Sequence, residues 1–330
     1  MRRVKRNLHA GKHLSGGFSL NIFSEDELYE IHLATLEVLA KTGLFVEGEE
    51  ALDILDGGGA SVDRKNKIVK FPPYLVEDAI RSAPPKVMLY GRNPKNDIVL
   101  ESNRVGFATF GAGIFVHDLY TGEVRKSLKQ DVADSALLAD YLPHVDVYLK
   151  CVDAHDVPAE VDQLHHAEAF ITNTSKHCFL GPRDRKQLWK LLEMFEAVAG
   201  GKEKLRERPL ISFITCPTSP LRLIRDSCDI IVDAARTGTV MNILSMAMAG
   251  GSSPVSLAGT LVTHNAEVLG GIVLSQVTRK GAPVIYGSST TNMDLRLATS
   301  PVGSPEMGMI NAAVAFMAQY YSLPSWVAGA

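Results

Sequence analysis

The sequence lacks the short patterns that identify several common protein classes. Its four cysteines, Cys151, Cys178, Cys216 and Cys228, form no CxxC pair, so neither a structural zinc site nor a thioredoxin-type motif is expected. The stretch MRRVKRNLHAGKH has no apolar region of the kind found in signal peptides, so we expect a cytoplasmic protein with free thiols. No other basic stretch occurs and the net charge is −3, which argues against a nucleic-acid partner.

Long uninterrupted apolar runs are also missing. The most apolar segment, residues 258–278, is broken by Thr263, His264, Asn265 and Glu267, so it predicts a buried core helix and no membrane contact. The 330-residue chain is 46% hydrophobic and 22% charged, which is typical of a globular protein with a sizeable core.

What the sequence does contain is a regular alternation of strands and helices. Residues 1–103 predict a small α+β segment, whose first helix begins after Ser24 with Glu27 completing a capping box. Residues 104–330 predict six strand–helix units and a seventh strand, beginning with RVGFATFG and ending with PSWVAG. Apolar, Val/Ile-rich strands separated by helices indicate a parallel sheet covered by helices.

Two architectures are built from such units. The regular spacing and the lack of a dinucleotide fingerprint favour a (β/α)8 TIM barrel over an open, doubly wound sheet. A barrel closes with eight units, so we expect an α/β fold that is incomplete at the C-terminus and lacks helix 7, strand 8 and helix 8. The predicted domains are therefore an N-terminal α+β segment, residues 1–103, and a partial TIM barrel, residues 104–330.

Three stretches carry a resemblance to a known family. They are GAGIFVHDLYTGEVRKSLKQDVADSALLADYLPHVDVY, SPVSLAGTLVTHNAEVLGG and GSSTTNMDLRLATSPVGSPEMGMINAAVAFMAQYYSLPSWVAGA. The chain resembles the trimethylamine:corrinoid methyltransferase family over most of residues 25–330. The resemblance implies transfer of a methyl group from trimethylamine to the cobalt(I) corrinoid of a cognate partner protein. It implies no directly bound cofactor or metal, and we expect a homo-oligomer.

Members of one branch of this family resemble the chain up to LPSWVAGA and then place pyrrolysine, which is encoded by UAG. The resemblance therefore implies pyrrolysine at position 331 and an inactive 330-residue product. Another branch lacks pyrrolysine and demethylates quaternary amines such as glycine betaine, and this alternative stays open. A non-catalytic binding or assembly role is the third hypothesis.

Polar residues at strand ends are the candidates for the site, since barrel chemistry lies where strands end and βα loops begin. The family mechanism needs an acid and a charge near the amine adduct, and we nominate Asp294 and Glu306. As substrate-binding residues we nominate His155, Arg183, Ser289, Thr290 and Trp326, the last for cation–π contact. Three of these residues have an alternative role: Glu306 would suit the dipole of its helix, Arg183 a loop ion pair and Trp326 the core.

Overall fold

The fold is known from a computed structural model, which describes residues 22–101, 104–111 and 113–328. The helices are α1 (Glu25–Lys41), α2 (Glu49–Gly57), α3 (Pro73–Ser82), α4 (Lys129–Tyr141), α5 (Asp162–Asn173), α6 (Arg185–Ala199), α7 (Lys202–Glu207), α8 (Arg225–Thr237), α9 (Leu257–Thr278) and α10 (Pro305–Tyr320). The strands are β1 (Leu44–Val46), β2 (Ser61–Asp63), β3 (Ile68–Lys70), β4 (Lys86–Leu89), β5 (Ile98–Glu101), β6 (Phe115–His117), β7 (Val124–Lys126), β8 (Val147–Leu149), β9 (His177–Leu180), β10 (Ile211–Thr215), β11 (Arg222–Leu223), β12 (Met241–Ser245), β13 (Met248–Ala249), β14 (Val284–Ser288), β15 (Thr291–Asn292) and β16 (Ser325–Val327).

The described residues group into two compact units. The first unit holds residues 88–214, and the second unit holds residues 22–87 together with 215–328. The helices α1–α3 thus belong with the C-terminal half of the chain. This grouping differs from the boundary predicted at residue 103, which stays a prediction about domains.

Parallel strands separated by helices form the first unit. Strand β9 pairs in parallel with β8 and with β10, and α4, α5 and α6 follow or precede them along the chain. The hairpin predicted around the turn YTGE is confirmed as β6 and β7, which pair antiparallel. The side chains of β9 are buried along its whole length, as in a strand covered on both faces.

The strand predicted at residues 104–111 does not form, and that prediction is wrong. Ala108 makes only an isolated parallel bridge to Val147. The hydroxyl of Thr109 binds both backbone groups of Leu149, accepting from its N–H at 2.9 Å, and so replaces a ladder bond. A side chain at Gly111 would lie 2.1 Å from the carbonyl oxygen of Lys150, so the glycine permits a closer approach than a regular strand allows.

The second unit has its own parallel strands. Strand β14 pairs with β12 on one side, from Met241↔Val284 to Ser245↔Ser288, and with β16 on the other, where Gly287 faces Trp326. Helix α9 is buried for most of its length and packs against α1, α3 and α8 as well as β12. By length and composition α9 could cross a membrane, but 72% of its most apolar window is buried inside the structure, so the predicted core helix is confirmed.

The first helix of this unit, α1, begins as the sequence predicts, whereas α2 was not predicted. Ser24 caps α1, with its Oγ accepting from Glu27 N at 3.3 Å while the Glu27 carboxylate accepts from Ser24 N at 2.8 Å. Gly43 ends the turn with a φ of +79°, and a side chain there would collide with the carbonyl oxygen of Val69. Strand β1 then pairs with β3 and β11.

Candidate active site

Hydroxyl side chains collect at the carboxyl ends of β12 and β14 in the second unit. We call this set the hydroxyl shelf; it comprises Ser245, Ser288, Ser289, Thr290 and Thr291. The two backbone segments that follow β12 and β14 continue side by side. Ser289 N donates to Ser245 O at 2.9 Å, and the short strands β13 and β15 pair in parallel. Active sites of parallel α/β folds lie at this end of the strands.

A buried carboxyl group, that of Glu267, supports the shelf from α9. Its Oε2 accepts from Ser245 Oγ at 2.6 Å and from Ser219 Oγ at 2.8 Å, and its Oε1 accepts from Leu221 N at 2.9 Å. Burial raises the pKa of Glu267, although these three hydrogen bonds act in the opposite direction. The carboxyl group therefore joins the end of β12 to the loop that leads into β11.

His264 lies three residues before Glu267 and contacts the shelf at Thr290. The His264 Nδ1 lies 2.9 Å from Thr290 Oγ1, and burial lowers the pKa of His264 to about 3, so the ring is neutral. On α10, Asn311 Nδ2 donates to Thr290 O at 3.3 Å. Within the described part of the chain, His264 Nε2 and Asn311 Oδ1 are buried without a hydrogen-bond partner.

Asn265 is fully hydrogen-bonded inside the helical layer. Its Nδ2 donates to Thr35 Oγ1 at 3.0 Å and to the Tyr321 hydroxyl at 2.8 Å, and its Oδ1 accepts from the Tyr286 hydroxyl at 2.7 Å. Asn265 and Glu267, two of the polar residues that interrupt the apolar sequence of α9, are thus satisfied in the core, whereas His264 Nε2 has no hydrogen-bond partner among the described residues.

The nominated carboxylates lie beyond the shelf. Asp294 follows β15 and is half-buried; its Oδ1 accepts from Arg296 N at 2.8 Å and from Leu297 N at 3.2 Å, which orders the following turn. Glu306 is exposed in the first turn of α10, whose N-cap is Ser304. The structure does not bring these two carboxylates into a described contact with each other, and their catalytic role stays a prediction.

The nominated binding residues of the second unit differ in their surroundings. Thr290 is fully buried and its hydroxyl is occupied by His264 and by Ser245 O at 3.3 Å. Ser289 and Trp326 are half-buried. Of these residues, Trp326 has the clearest place on a strand, since it lies beside Gly287 on β14.

The two nominated residues of the first unit already have protein partners. The Arg183 guanidinium forms an ion pair with Asp162, and its Nε donates to Asp162 Oδ1 at 3.2 Å. Burial of Asp162 raises its pKa, but the contact with Arg183 outweighs this and leaves the pKa lowered. His155 is exposed, with Nδ1 3.2 Å from Ser127 O. Substrate binding by either residue stays a prediction.

Metal and thiol chemistry receive no support from the described residues. No group of three His, Cys, Asp or Glu side chains in the described ranges could hold a metal ion. His165 and Glu168, spaced as ligands on one helix, both contact Lys129 Nζ. Burial raises the pKa of Cys216 to about 11, so the group is a thiol and not a reactive thiolate at neutral pH.

One site feature that the sequence does not reveal is the surface beside Trp326. Asn242 on β12 is fully buried, and a side chain at Gly287 would lie 2.1 Å from Asn242 Oδ1. The amide therefore fills the space left by the glycine. No local sequence pattern predicts this contact between two strands, because Asn242 and Gly287 are 45 positions apart in the sequence.

The parallel strands, the helices between them and the polar groups at their carboxyl ends define an α/β protein of the class that places its chemistry in βα loops. The sequence profile of the trimethylamine methyltransferase (MTTB) family matches residues 2–330. The chain belongs to this family.

Several known proteins are similar to the chain. Trimethylamine methyltransferase MttB of Desulfitobacterium hafniense is 55% identical over 100% of the chain and 66% of its own length. The protein of the same name from Methanosarcina thermophila is 44% identical over 99% of the chain and 68% of its own length. Glycine betaine methyltransferase of Desulfitobacterium hafniense is 33% identical over 92% of the chain and 63% of its own length.

The fold also resembles solved structures. The monomethylamine methyltransferase MtmB of Methanosarcina barkeri matches with a TM-score of 0.50 and 11% identity, over 91% of the chain and 65% of its own. A hydroxylamine complex of MtmB gives a TM-score of 0.52 at 12% identity, over 91% of the chain and 67% of its own length. The chain thus spans about two thirds of the length of the relatives that it matches.

Proposed function

We propose that the chain contributes the amine-binding barrel of a trimethylamine methyltransferase that methylates a corrinoid protein. The observation that carries this proposal is the 55% identity to a trimethylamine methyltransferase along the entire chain. The glycine betaine alternative has weaker support, at 33% identity. The partial (β/α)8 barrel is part of the proposal, and the likeness to MtmB supports it.

The charge of the hydroxyl shelf favours a simple amine over glycine betaine. Residues 245–253 and 288–294, the parts of the two loops nearest the ends of β12 and β14, contain no Lys or Arg, and Asp294 supplies a carboxylate; the first cation along the second loop is Arg296. A carboxylate-bearing substrate would call for a cation at this position. Trimethylammonium carries only positive charge and needs none.

The reaction in the proposal moves a methyl group as a cation equivalent. The C–N bond breaks with its electron pair remaining on nitrogen, so dimethylamine leaves, and the new bond to carbon takes both electrons from the acceptor. A corrinoid on the partner protein would supply the nucleophilic cobalt(I). The residues of this chain would bind and orient the amine, with Trp326 as the cation–π surface.

Amine binding tests the proposal on the 330-residue chain. Titration calorimetry with trimethylammonium and, separately, glycine betaine should give saturable binding for trimethylammonium and at least tenfold weaker binding for glycine betaine. The reverse preference would support the betaine alternative. Absence of binding for both would contradict an amine site in this chain.

Methyl transfer needs a second measurement on a longer product. The expectation of pyrrolysine at position 331 is tested by the codon that follows codon 330 in the gene. If that codon is UAG within an open frame, the readthrough product should methylate cob(I)alamin when trimethylamine is added, and the 330-residue chain should not.

A further inference from the structure

A chain of hydrogen bonds runs through the second unit from a partly exposed carboxylate to a buried strand. Glu77 Oε1 lies 2.8 Å from His32 Nε2, and His32 Nδ1 lies 2.9 Å from the Tyr321 hydroxyl. The Tyr321 hydroxyl lies 2.8 Å from Asn265 Nδ2, and Asn265 Oδ1 lies 2.7 Å from the Tyr286 hydroxyl. We call these five residues the Glu77–Tyr286 chain. All except Glu77 are buried.

The contact with Thr35 fixes the orientation of the Asn265 side-chain amide. The Thr35 hydroxyl donates to Ile31 O at 2.8 Å, so it can only accept from Asn265. The amide nitrogen of Asn265 must therefore face both Thr35 and Tyr321, and its oxygen must accept from Tyr286. The Tyr321 hydroxyl accepts from Asn265 and has its own proton left to donate.

This polarity determines the state of His32. The proton of the Tyr321 hydroxyl goes to His32 Nδ1, which must then be an unprotonated acceptor. The ring proton therefore lies on Nε2 and is donated to Glu77. The Glu77–Tyr286 chain is fully satisfied only when the His32 imidazole is neutral.

The two tyrosines of the Glu77–Tyr286 chain both lie close to the start of β16. Tyr321 directly follows α10 and is four residues before Ser325, and its ring centroid is 6.0 Å from that of Tyr286. Tyr286 on β14 donates its backbone N–H to Pro324 O at 2.9 Å. The next residues of the two strands, Gly287 and Trp326, are paired.

We propose that His32 and Tyr321 are positioning residues for β16 and Trp326, and that they hold this strand in place only while His32 is neutral. The connection to amine binding rests on the proposed function, whereas the positioning itself does not. The helix α1 thereby acts on the strand that carries the nominated cation–π surface, through side chains and not through the backbone.

Acid should disturb this arrangement for a stated reason. A proton on His32 Nδ1 would face the Tyr321 hydroxyl, which would then be left with a buried proton and no acceptor. The titratable groups that face His32 are Glu77 on α3, Tyr29 on α1, and Tyr320 and Tyr321 at the end of α10. Burial raises the pKa of both Tyr320 and Tyr321, so they stay protonated, and Glu77 is the one carboxylate among these groups.

The test uses tryptophan emission, because the chain has only two tryptophans, Trp189 and Trp326. In the variant Trp189→Phe, the emission of Trp326 should shift to the red as the pH is lowered from 8 to 5. The double variant Trp189→Phe/His32→Gln should show no shift, because a glutamine can donate to Glu77 and accept from Tyr321 without titrating. An identical shift in both variants, or none in either, would overturn the proposal.

A further variant gives the sign of the effect. Glu77→Gln in the Trp189→Phe background replaces the carboxylate 2.8 Å from His32 Nε2 by a neutral amide, so the midpoint of the emission change should move to lower pH. A midpoint that stays in place would contradict the coupling through His32. Repeating the series with trimethylammonium separates the two proposals: loss of amine binding in every variant refutes the proposed function, while the emission results still decide the positioning.

Discussion

The carboxyl group of Glu267, in the middle of α9, accepts a hydrogen bond of 2.6 Å from the hydroxyl of Ser245, the last residue of β12. The same group accepts from Ser219 and from the backbone of Leu221. All three donors are uncharged, so the carboxylate is stabilised by hydrogen bonds alone. A helix residue thus fixes two loops at the end of the strands where the candidate site lies.

Replacing Glu267 should separate its charge from its hydrogen bonds. Glu267→Ala would leave the N–H of the half-buried Leu221 without its acceptor and should lower the free energy of unfolding by about 3 kcal/mol. Glu267→Gln keeps an acceptor for Leu221, and the hydroxyls of Ser219 and Ser245 can rotate to accept from the new amide. We expect this variant to be much less destabilised, as measured by urea unfolding at pH 7.

The pH dependence of Glu267 gives the control. Its pKa in the folded protein is raised above the ordinary value of 4.5, so the folded state binds this proton more tightly than the unfolded state. Its contribution to stability is therefore present below pH 4.5 and is lost as the pH rises through the folded-state pKa. Relative to the native chain, Glu267→Gln should become more stable over that rise. A difference that does not change with pH would show that the carboxyl group is not strained by burial.

Gly287 should be intolerant of even a methyl group. A Cβ there would lie 2.1 Å from Asn242 Oδ1 and 2.9 Å from the backbone of Leu244, so Gly287→Ala should cost about 1–3 kcal/mol of unfolding free energy. The matched control is Gly308→Ala on α10, where a Cβ meets nothing within 4 Å and should stabilise the helix by up to about 1 kcal/mol. Equal thermal stability of the two variants would contradict the packing around Gly287.

Much of the fold could be predicted from local sequence. The capping box at Ser24, the hairpin around YTGE and the apolar strands β8, β9, β10, β12, β14 and β16 all depend on residues within a few positions of each other. The strand predicted at residues 104–111 does not form because its glycines and Thr109 make closer contacts in place of a regular ladder of backbone hydrogen bonds. The spacing of apolar residues in the sequence does not encode such contacts. The short helix α7, KEKLRE, has too few apolar positions to show a helical period.

The site was harder to predict because its contacts join distant residues. The sequence shows that Asn265 and Glu267 interrupt an apolar helix, but their partners Thr35 and Ser219 are 230 and 48 residues away. No spacing rule connects such positions. Thr290, nominated because it follows a strand, lies in the hydroxyl shelf against His264, and its role in substrate binding stays a prediction.

His264 should make the protein less stable in mild acid. Its pKa falls from 6.5 to about 3 because the ring is buried, so the unfolded chain takes up a proton that the folded chain refuses. The contribution of His264 is therefore complete above pH 6.5 and is lost as the pH falls towards 3, at about 1.4 kcal/mol per pH unit. Urea unfolding between pH 7 and pH 4.5 should show a shallower loss of stability in His264→Gln than in the native chain.

The exposed His117 supplies the matched control for this measurement, because His117→Gln makes the same substitution at a surface position and should change the free energy of unfolding at pH 7 by no more than about 0.5 kcal/mol. Proton NMR adds a direct test that does not depend on the variant being stable. The imidazole signals of His264 should not move between pH 7 and pH 5, since the ring is neutral throughout that range. A His264 signal that titrates near pH 6.5 would mean that the ring reaches water, and Thr290 would then be accessible from the solvent and not enclosed in the core.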